Sequence, residues 1–142
     1  MSDTEIVVRY AETDQMGVVH HSVYPVWFEA ARTDFMDKAG YPYPDIEKQG
    51  ILLPLTRLEC SYREGARYGD TVIITTEITK ITPARIEISY KALRSNDSIL
   101  LAEGKTVHAW TDSNMQIINL KRNRPDIYNL FEAALNKPES AP

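Results

Sequence analysis

Six glycines, three histidines and a single cysteine in 142 residues exclude several chemistries at the outset. Cys60 alone cannot close an intrachain disulfide. It stands in the alternating stretch LTRLECSYRE, and no His or Asp beside it in sequence would activate a thiol, so it reads as a half-buried strand residue. The histidines lack H-E-x-x-H spacing, and His20 and His21 are adjacent rather than four apart. Asp14, His20, His21 and His108 are therefore not expected to hold a metal. No apolar run approaches the ~20 residues that cross a bilayer. The opening MSDTEIVVRY has no basic segment of the kind that starts an export signal, which leads us to expect a cytoplasmic protein. The formal net charge is −4, with Lys and Arg scattered rather than gathered into a stripe that would neutralise a phosphate backbone. Nucleic acid is not an expected partner.

What is present orders itself as one domain, for which this length suffices to bury roughly two thirds of the surface an unfolded chain exposes. EIVVRY, residues 5–10, reads as a short strand. A helix is expected from Val23 to Lys38, with Ser22 as its cap, Pro25 in its first turn and Gly40 just beyond its end. Along it Glu29, Arg32, Thr33 and Asp37 make a narrow polar stripe, while Val23, Tyr24, Trp27, Phe28, Ala30, Ala31 and Phe35 cover a wide apolar arc. So wide an arc predicts a helix wrapped by its surroundings, and Asp34 and Lys38 are placed to pair at i,i+4. GYPYPDIEKQG is loop-like, with one helical turn at DIEKQ. From Ile51 to about Thr111 the chain reads as four long strands, separated by GARYGD, TPA and SND. Those separators are too short for parallel crossovers, so the strands should be antiparallel. NRPDIYNLFEAALNK closes as a short helix. The domain is assigned to residues 1–136 and a tail to 137–142. The economical packing is an α+β domain in which a curved antiparallel sheet wraps one long central helix. Its open edge predicts at least a homodimer, or a homotetramer.

The run RYAETDQMGVVHHSVYPVWFEAAR resembles the N-terminal motif of the 4-hydroxybenzoyl-CoA thioesterase-like, YbgC-type acyl-CoA thioesterases of the hot-dog fold. Arg9, Tyr10, Thr13, Asp14, Gly17, Val18, Val19, His21, Tyr24, Trp27, Glu29, Ala31 and Arg32 carry the match. The later run YREGARYGDTVIITTEI resembles the family's second strand and turn. The resemblance implies a sheet around one helix that dimerises edge to edge, and hydrolysis of an acyl thioester carried by coenzyme A or an acyl carrier protein. Coenzyme A is then part of the substrate, and no separate cofactor is expected.

That chemistry asks little of a protein. A thiol with a pKa near ~8.5 leaves as thiolate without a strong general acid. Two needs remain: a carboxylate to attack or to activate water, and donors for the charge on the carbonyl oxygen. The resemblance implies that Asp14 is the carboxylate, as nucleophile or as general base; on spacing alone it would be a turn-forming Asx residue. Gly17 permits an unusual φ and a close approach of the backbone to a ligand. The N–H groups from about His20 to Val23 lie at a helix N-terminus, where donors are free and the dipole favours negative charge. The family places the donor at the backbone N–H matching His21; the His21 imidazole either orients substrate or takes no part. His20 stands where relatives often carry an aromatic residue and is read as packing. Tyr10, Tyr24 and Trp27 are core residues or, where they line an acyl pocket, suit a flat or apolar acyl group. Arg85, after the TPA turn, is the candidate for the nucleotide phosphates. Two further readings use the same fold: a hydroxyacyl-thioester dehydratase with His21 and Asp14 as acid–base pair, and a non-catalytic acyl-thioester or acyl-carrier-protein binding module.

Overall fold

In the computed structural model, which describes residues 1–136, the chain runs β1 (Ser2–Val7), a 3₁₀ turn (Tyr10–Glu12), α1 (Val23–Lys38), α2 (Tyr43–Lys48) and β2 (Leu55–Tyr62). It continues through β3 (Thr71–Ile81), β4 (Arg85–Arg94), β5 (Leu100–Ala109), α3 (Leu120–Asn123) and α4 (Pro125–Asn136). The tail assigned to 137–142 lies outside the described residues. Every strand pairing is antiparallel, and the sheet order is β1-β3-β4-β5-β2. Period-two alternation decides the faces: Val72, Ile74, Thr76 and Ile78 of β3 are buried, as are Ile86, Ile88, Tyr90 and Ala92 of β4. β1 begins three residues before the expected strand. It ends at Val7 because the Val8 N–H bonds Asp70 O and the chain then turns at Tyr10–Glu12.

α1 has the expected bounds but not the expected surroundings. Tyr24, Trp27, Phe28, Ala31, Phe35 and Met36 are buried, whereas Val26, Glu29, Ala30, Thr33 and Asp37 face outward. One side of the helix meets this chain's sheet, with Phe28 stacked on Tyr90 at 4.6 Å. The apolar arc is therefore covered only in part, and Ala30 does not sit in the contact. Asp34 pairs with Lys38 at 2.8 Å and also accepts from Thr4. α4 adds a second helix to the core through Ile127, Tyr128 and Phe131, the last 5.4 Å from the Trp110 ring.

A buried polar chain ties α1 to the sheet. Arg32 Nε donates to Tyr43 Oη at 2.9 Å and Nη1 to Tyr90 Oη at 3.1 Å. Tyr90 Oη lies 2.6 Å from Thr106 Oγ1, which lies 2.9 Å from His108 Nε2, and His108 Nδ1 lies 3.1 Å from Leu53 O. A carbonyl only accepts, so Nδ1 carries the proton, Nε2 of the neutral ring accepts from Thr106, and Tyr90 donates to Thr106. Burial, with the Arg32 charge nearby, lowers the His108 pKa to about 4, in agreement with a neutral ring.

Candidate functional site

Residues 12–20 form a small antiparallel hairpin that feeds directly into α1. Thr13 and Val19 bridge, the Asp14 N–H donates to Val18 O at 2.9 Å, and the Gly17 N–H closes the turn on Asp14 O at 3.0 Å. Gly17 has φ +80°, a left-handed conformation that costs glycine little and most residues more. An added Cβ would meet only Arg67 Nη1, at 3.5 Å, so it is the φ and not a close approach that requires glycine. Asp14 sits at the tip. Its Oδ1 accepts the Met16 N–H at 2.9 Å, the Asx geometry that spacing alone suggested. Among the described residues its Oδ2 has no protein partner.

The hairpin is fixed on two sides. On one, Glu12 is buried at 7% exposure and accepts the Arg9 N–H at 2.8 Å through Oε1 and the Trp27 Nε1–H at 2.9 Å through Oε2. Burial raises the Glu12 pKa, but the N–H groups of Arg9 and Trp27 and the Arg9 guanidinium together bring it below the ordinary value. On the other side the Val19 N–H bonds Ala66 O at 2.8 Å. Here a Cβ on Gly65 would lie 2.5 Å from Val18 Cγ1, so the loop after β2 closes on the hairpin only because residue 65 has no side chain.

The junction with α1 uses its donors unevenly. The His20 N–H goes to Glu12 O at 2.9 Å and the Val23 N–H to His20 O at 3.0 Å. Ser22 occupies the N-cap position, but its hydroxyl caps nothing. Instead the Ser22 N–H donates to His20 Nδ1 at 3.2 Å, and the Ser22 hydroxyl lies 2.7 Å from the same nitrogen. The imidazole of His20, expected only to pack, takes the Ser22 N–H, and the side-chain cap expected of Ser22 is not made. The N–H of His21 is left without a protein acceptor among the described residues. The His21 ring is exposed, 4.1 Å from the His20 ring. Asp14 pairs opposite Val18, and His21 follows Val18 by three residues, at most about 11 Å of backbone. The Asp14 carboxylate and the His21 N–H thus belong to one short segment at the start of α1, and a carboxylate with a helix-terminal donor are the two groups that attack on a carbonyl whose oxygen becomes negative requires.

The other candidates are dispersed. Tyr10 is 76% exposed and tilts against Tyr68 at 5.7 Å. Tyr24 and Trp27 are buried and meet edge to face at 5.0 Å, as core residues do. Arg85 is exposed in a groove with Arg57, Lys80, Thr82 and Ile117, and neither Asp14 nor His21 lines it. Among the described residues no three His, Cys, Asp or Glu side chains are grouped to hold a metal ion. Among the described residues no helix is long and apolar enough to cross a membrane. Glu12 and Gly65 were not singled out from the sequence. Glu12 had a signal, lying three residues after Arg9 as the closing acid of a capping box does. Gly65 had none beyond its place in a turn.

The family model of the thioesterase-like superfamily matches residues 8–137. YneP of Bacillus subtilis, provisionally named an acyl-CoA thioesterase, is 33% identical over 94% of this chain and 97% of its own length. The crystal structure of a DHNA-CoA thioesterase from Staphylococcus aureus superposes with a TM-score of 0.88 at 37% identity, covering 95% of this chain and 92% of that one. A hypothetical protein, TT1821, from Thermus thermophilus does so at 0.87 and 40% identity, covering 94% and 99%.

Proposed function

The chain belongs to the thioesterase-like superfamily of thioester hydrolases, and on that premise we propose that it cleaves acyl-CoA to a carboxylic acid and free CoA, with Asp14 and the His21 N–H as its reacting centre. The observation that carries this reading is the junction at α1. The N–H groups of residues 20, 22 and 23 are all engaged, whereas that of His21, at the positive end of the helix, has no acceptor among the described residues. The thioester oxygen accepts from it as the carbonyl carbon becomes tetrahedral. Asp14 Oδ2 supplies the other half of the reaction by one of two routes. It attacks the carbonyl carbon and expels CoA thiolate, leaving an Asp14–acyl anhydride that water hydrolyses; or it takes a proton from water, whose oxygen attacks instead. Oδ1, held by Met16, keeps the carboxylate in place in both.

A dehydratase would need the His21 ring and Asp14 to work as a pair, and no hydrogen bond joins them among the described residues. For Arg85, which shares no groove with Asp14, a phosphate-binding role requires a second copy to bring the two together. β2 is the edge suited to that. Among the described residues it pairs only with β5, and Leu55, Leu58 and Tyr62 on it are 52%, 42% and 48% exposed. The assembly is then a homodimer, or a homotetramer built from it.

The test is release of free thiol across a panel of aromatic, short-chain and long-chain acyl-CoAs, with DHNA-CoA, the ester named for the Staphylococcus aureus relative, among them. Acyl-carrier-protein thioesters form a parallel arm. At least one ester should be turned over, and Asp14→Asn should lower that turnover by about 10³-fold or more with an unchanged fold. Full activity in Asp14→Asn, or binding without thiol release by the parent chain, refutes the assignment.

A further inference from the structure

The first turn of α1 carries a gap in its hydrogen bonding that its own sequence creates. In an α-helix the carbonyl of residue i accepts the N–H of residue i+4, which for His21 is Pro25, and proline has none to give. Ser22 already has helical dihedrals, φ −69° and ψ −14°, and α1 follows at once. The His21 carbonyl is therefore aimed along the helix at a pyrrolidine ring. Left unpaired, its negative end would stand one peptide away from the N–H that is to meet the developing oxyanion, and would oppose it.

The partner comes from the edge of the sheet. The hydroxyl of Tyr62, the last residue of β2, donates to His21 O at 2.9 Å. Its ring is set by Tyr24, 5.5 Å away and edge to face, and meets the His21 ring edge-on at 6.4 Å. Burial above all pushes the Tyr62 hydroxyl up to about 12, so it stays protonated and remains a donor at any working pH. We propose that Tyr62 is a positioning residue for the hydrolysis: its hydroxyl replaces the missing Pro25 N–H, fixes the His21–Ser22 peptide, and so holds the adjacent His21 N–H on the substrate oxygen. This rests on the thioesterase reading above.

Tyr62→Phe keeps the ring and removes only the donor. Its kcat on the best acyl-CoA should fall about three- to tenfold, the worth of one hydrogen bond, with KM within about twofold. Pro25→Ala restores an N–H four residues beyond His21. Added to Tyr62→Phe it should recover most of the lost kcat, and alone it should leave turnover within about twofold of the parent. Loss of mere packing would not be rescued in this way. A parental kcat in Tyr62→Phe, or a loss that Pro25→Ala fails to repair, overturns the proposal and leaves the role of Asp14 intact. A parent chain that releases no thiol overturns both.

Discussion

Replacing Glu12 by alanine probes whether the Asp14 hairpin is held by one buried carboxylate. The Trp27 Nε1–H and the Arg9 N–H converge on that group at 2.9 and 2.8 Å, with the Arg9 guanidinium at 3.4 Å. Trp27 is 3% exposed, so its orphaned donor finds no water and costs about 1–3 kcal/mol. Arg9 is exposed, and water replaces most of what its backbone N–H loses. Glu12→Ala should therefore destabilise the chain by about 2–4 kcal/mol in urea unfolding at pH 7. Trp27→Phe removes the same bond from the other side, and the double variant should show a coupling of about 0.5–3 kcal/mol. The sign of the pH dependence follows from the lowered folded pKa of Glu12. Its stabilisation is complete above the unfolded value of about 4.3 and is lost as pH falls through the folded one, so the gap between parent and Glu12→Ala should narrow only below about pH 4.3. The substitution keeps the Glu12 carbonyl that accepts the His20 N–H but frees the hairpin from Trp27, so turnover should fall with stability. A Glu12→Ala chain within about 0.5 kcal/mol of the parent, or a cycle with no coupling, refutes the assignment of that carboxylate as an anchor.

Other outcomes follow from the same contacts. His108, held at about 4 against an ordinary 6.5, binds its proton more readily in the unfolded chain, so stability should decline from about pH 6.5 downward, by about 1.5 kcal/mol at pH 5. His108→Gln should flatten that limb in pH-dependent thermal melts; an unchanged limb excludes His108 as its source. Gly65→Ala sets a methyl 2.5 Å from Val18 Cγ1 and should cost about 1–3 kcal/mol while depressing kcat, with partial recovery on adding Val18→Ala. An active, fully stable Gly65→Ala chain would show that the hairpin tolerates displacement. Leu58→Arg puts a charge on the exposed edge of β2 and should lower the solution mass measured by light scattering; a mass unchanged from an oligomeric parent would move the interface elsewhere.

The elements legible in the sequence are those whose signals are local. Pro25 and Gly40 bracket α1, and its bounds at Val23 and Lys38 agree with the reading; the alternation in TVIITTEI decides the faces of β3. The Asp14 turn was legible as a motif, because turn formation and chemistry need the same few neighbouring residues. What escaped depends on residues far apart in the chain. Nothing in YREGARYGD states that Tyr62 reaches the His21 carbonyl or that Gly65 meets Val18. Ser22 is a good cap by type, but its hydroxyl lies against the His20 ring two residues earlier instead of on the first turn of the helix. The width of the apolar arc on α1 overstated its burial within one chain, since Ala30 lies on the uncovered side. A helix apolar beyond what its own sheet covers fits the oligomer proposed through β2.

The distribution of contacts around Asp14 bears on where activity would be lost. The hairpin is fixed before substrate arrives: to α1 through Glu12 and Trp27, to the loop after β2 through Ala66 and Gly65, and, at its junction with the helix, to β2 through Tyr62. In this reading none of those five residues touches the substrate, and each acts on the distance and angle between Asp14 Oδ2 and the His21 N–H. A site with its dipoles already oriented does not have to reorganise as charge develops, and that gain is realised in the transition state rather than in the bound ester. Loosening any of the anchors should therefore appear in kcat, with KM nearly constant. Changes to a residue that grips the acyl group or coenzyme A would appear in KM instead. The split separates the frame of this site from its pocket.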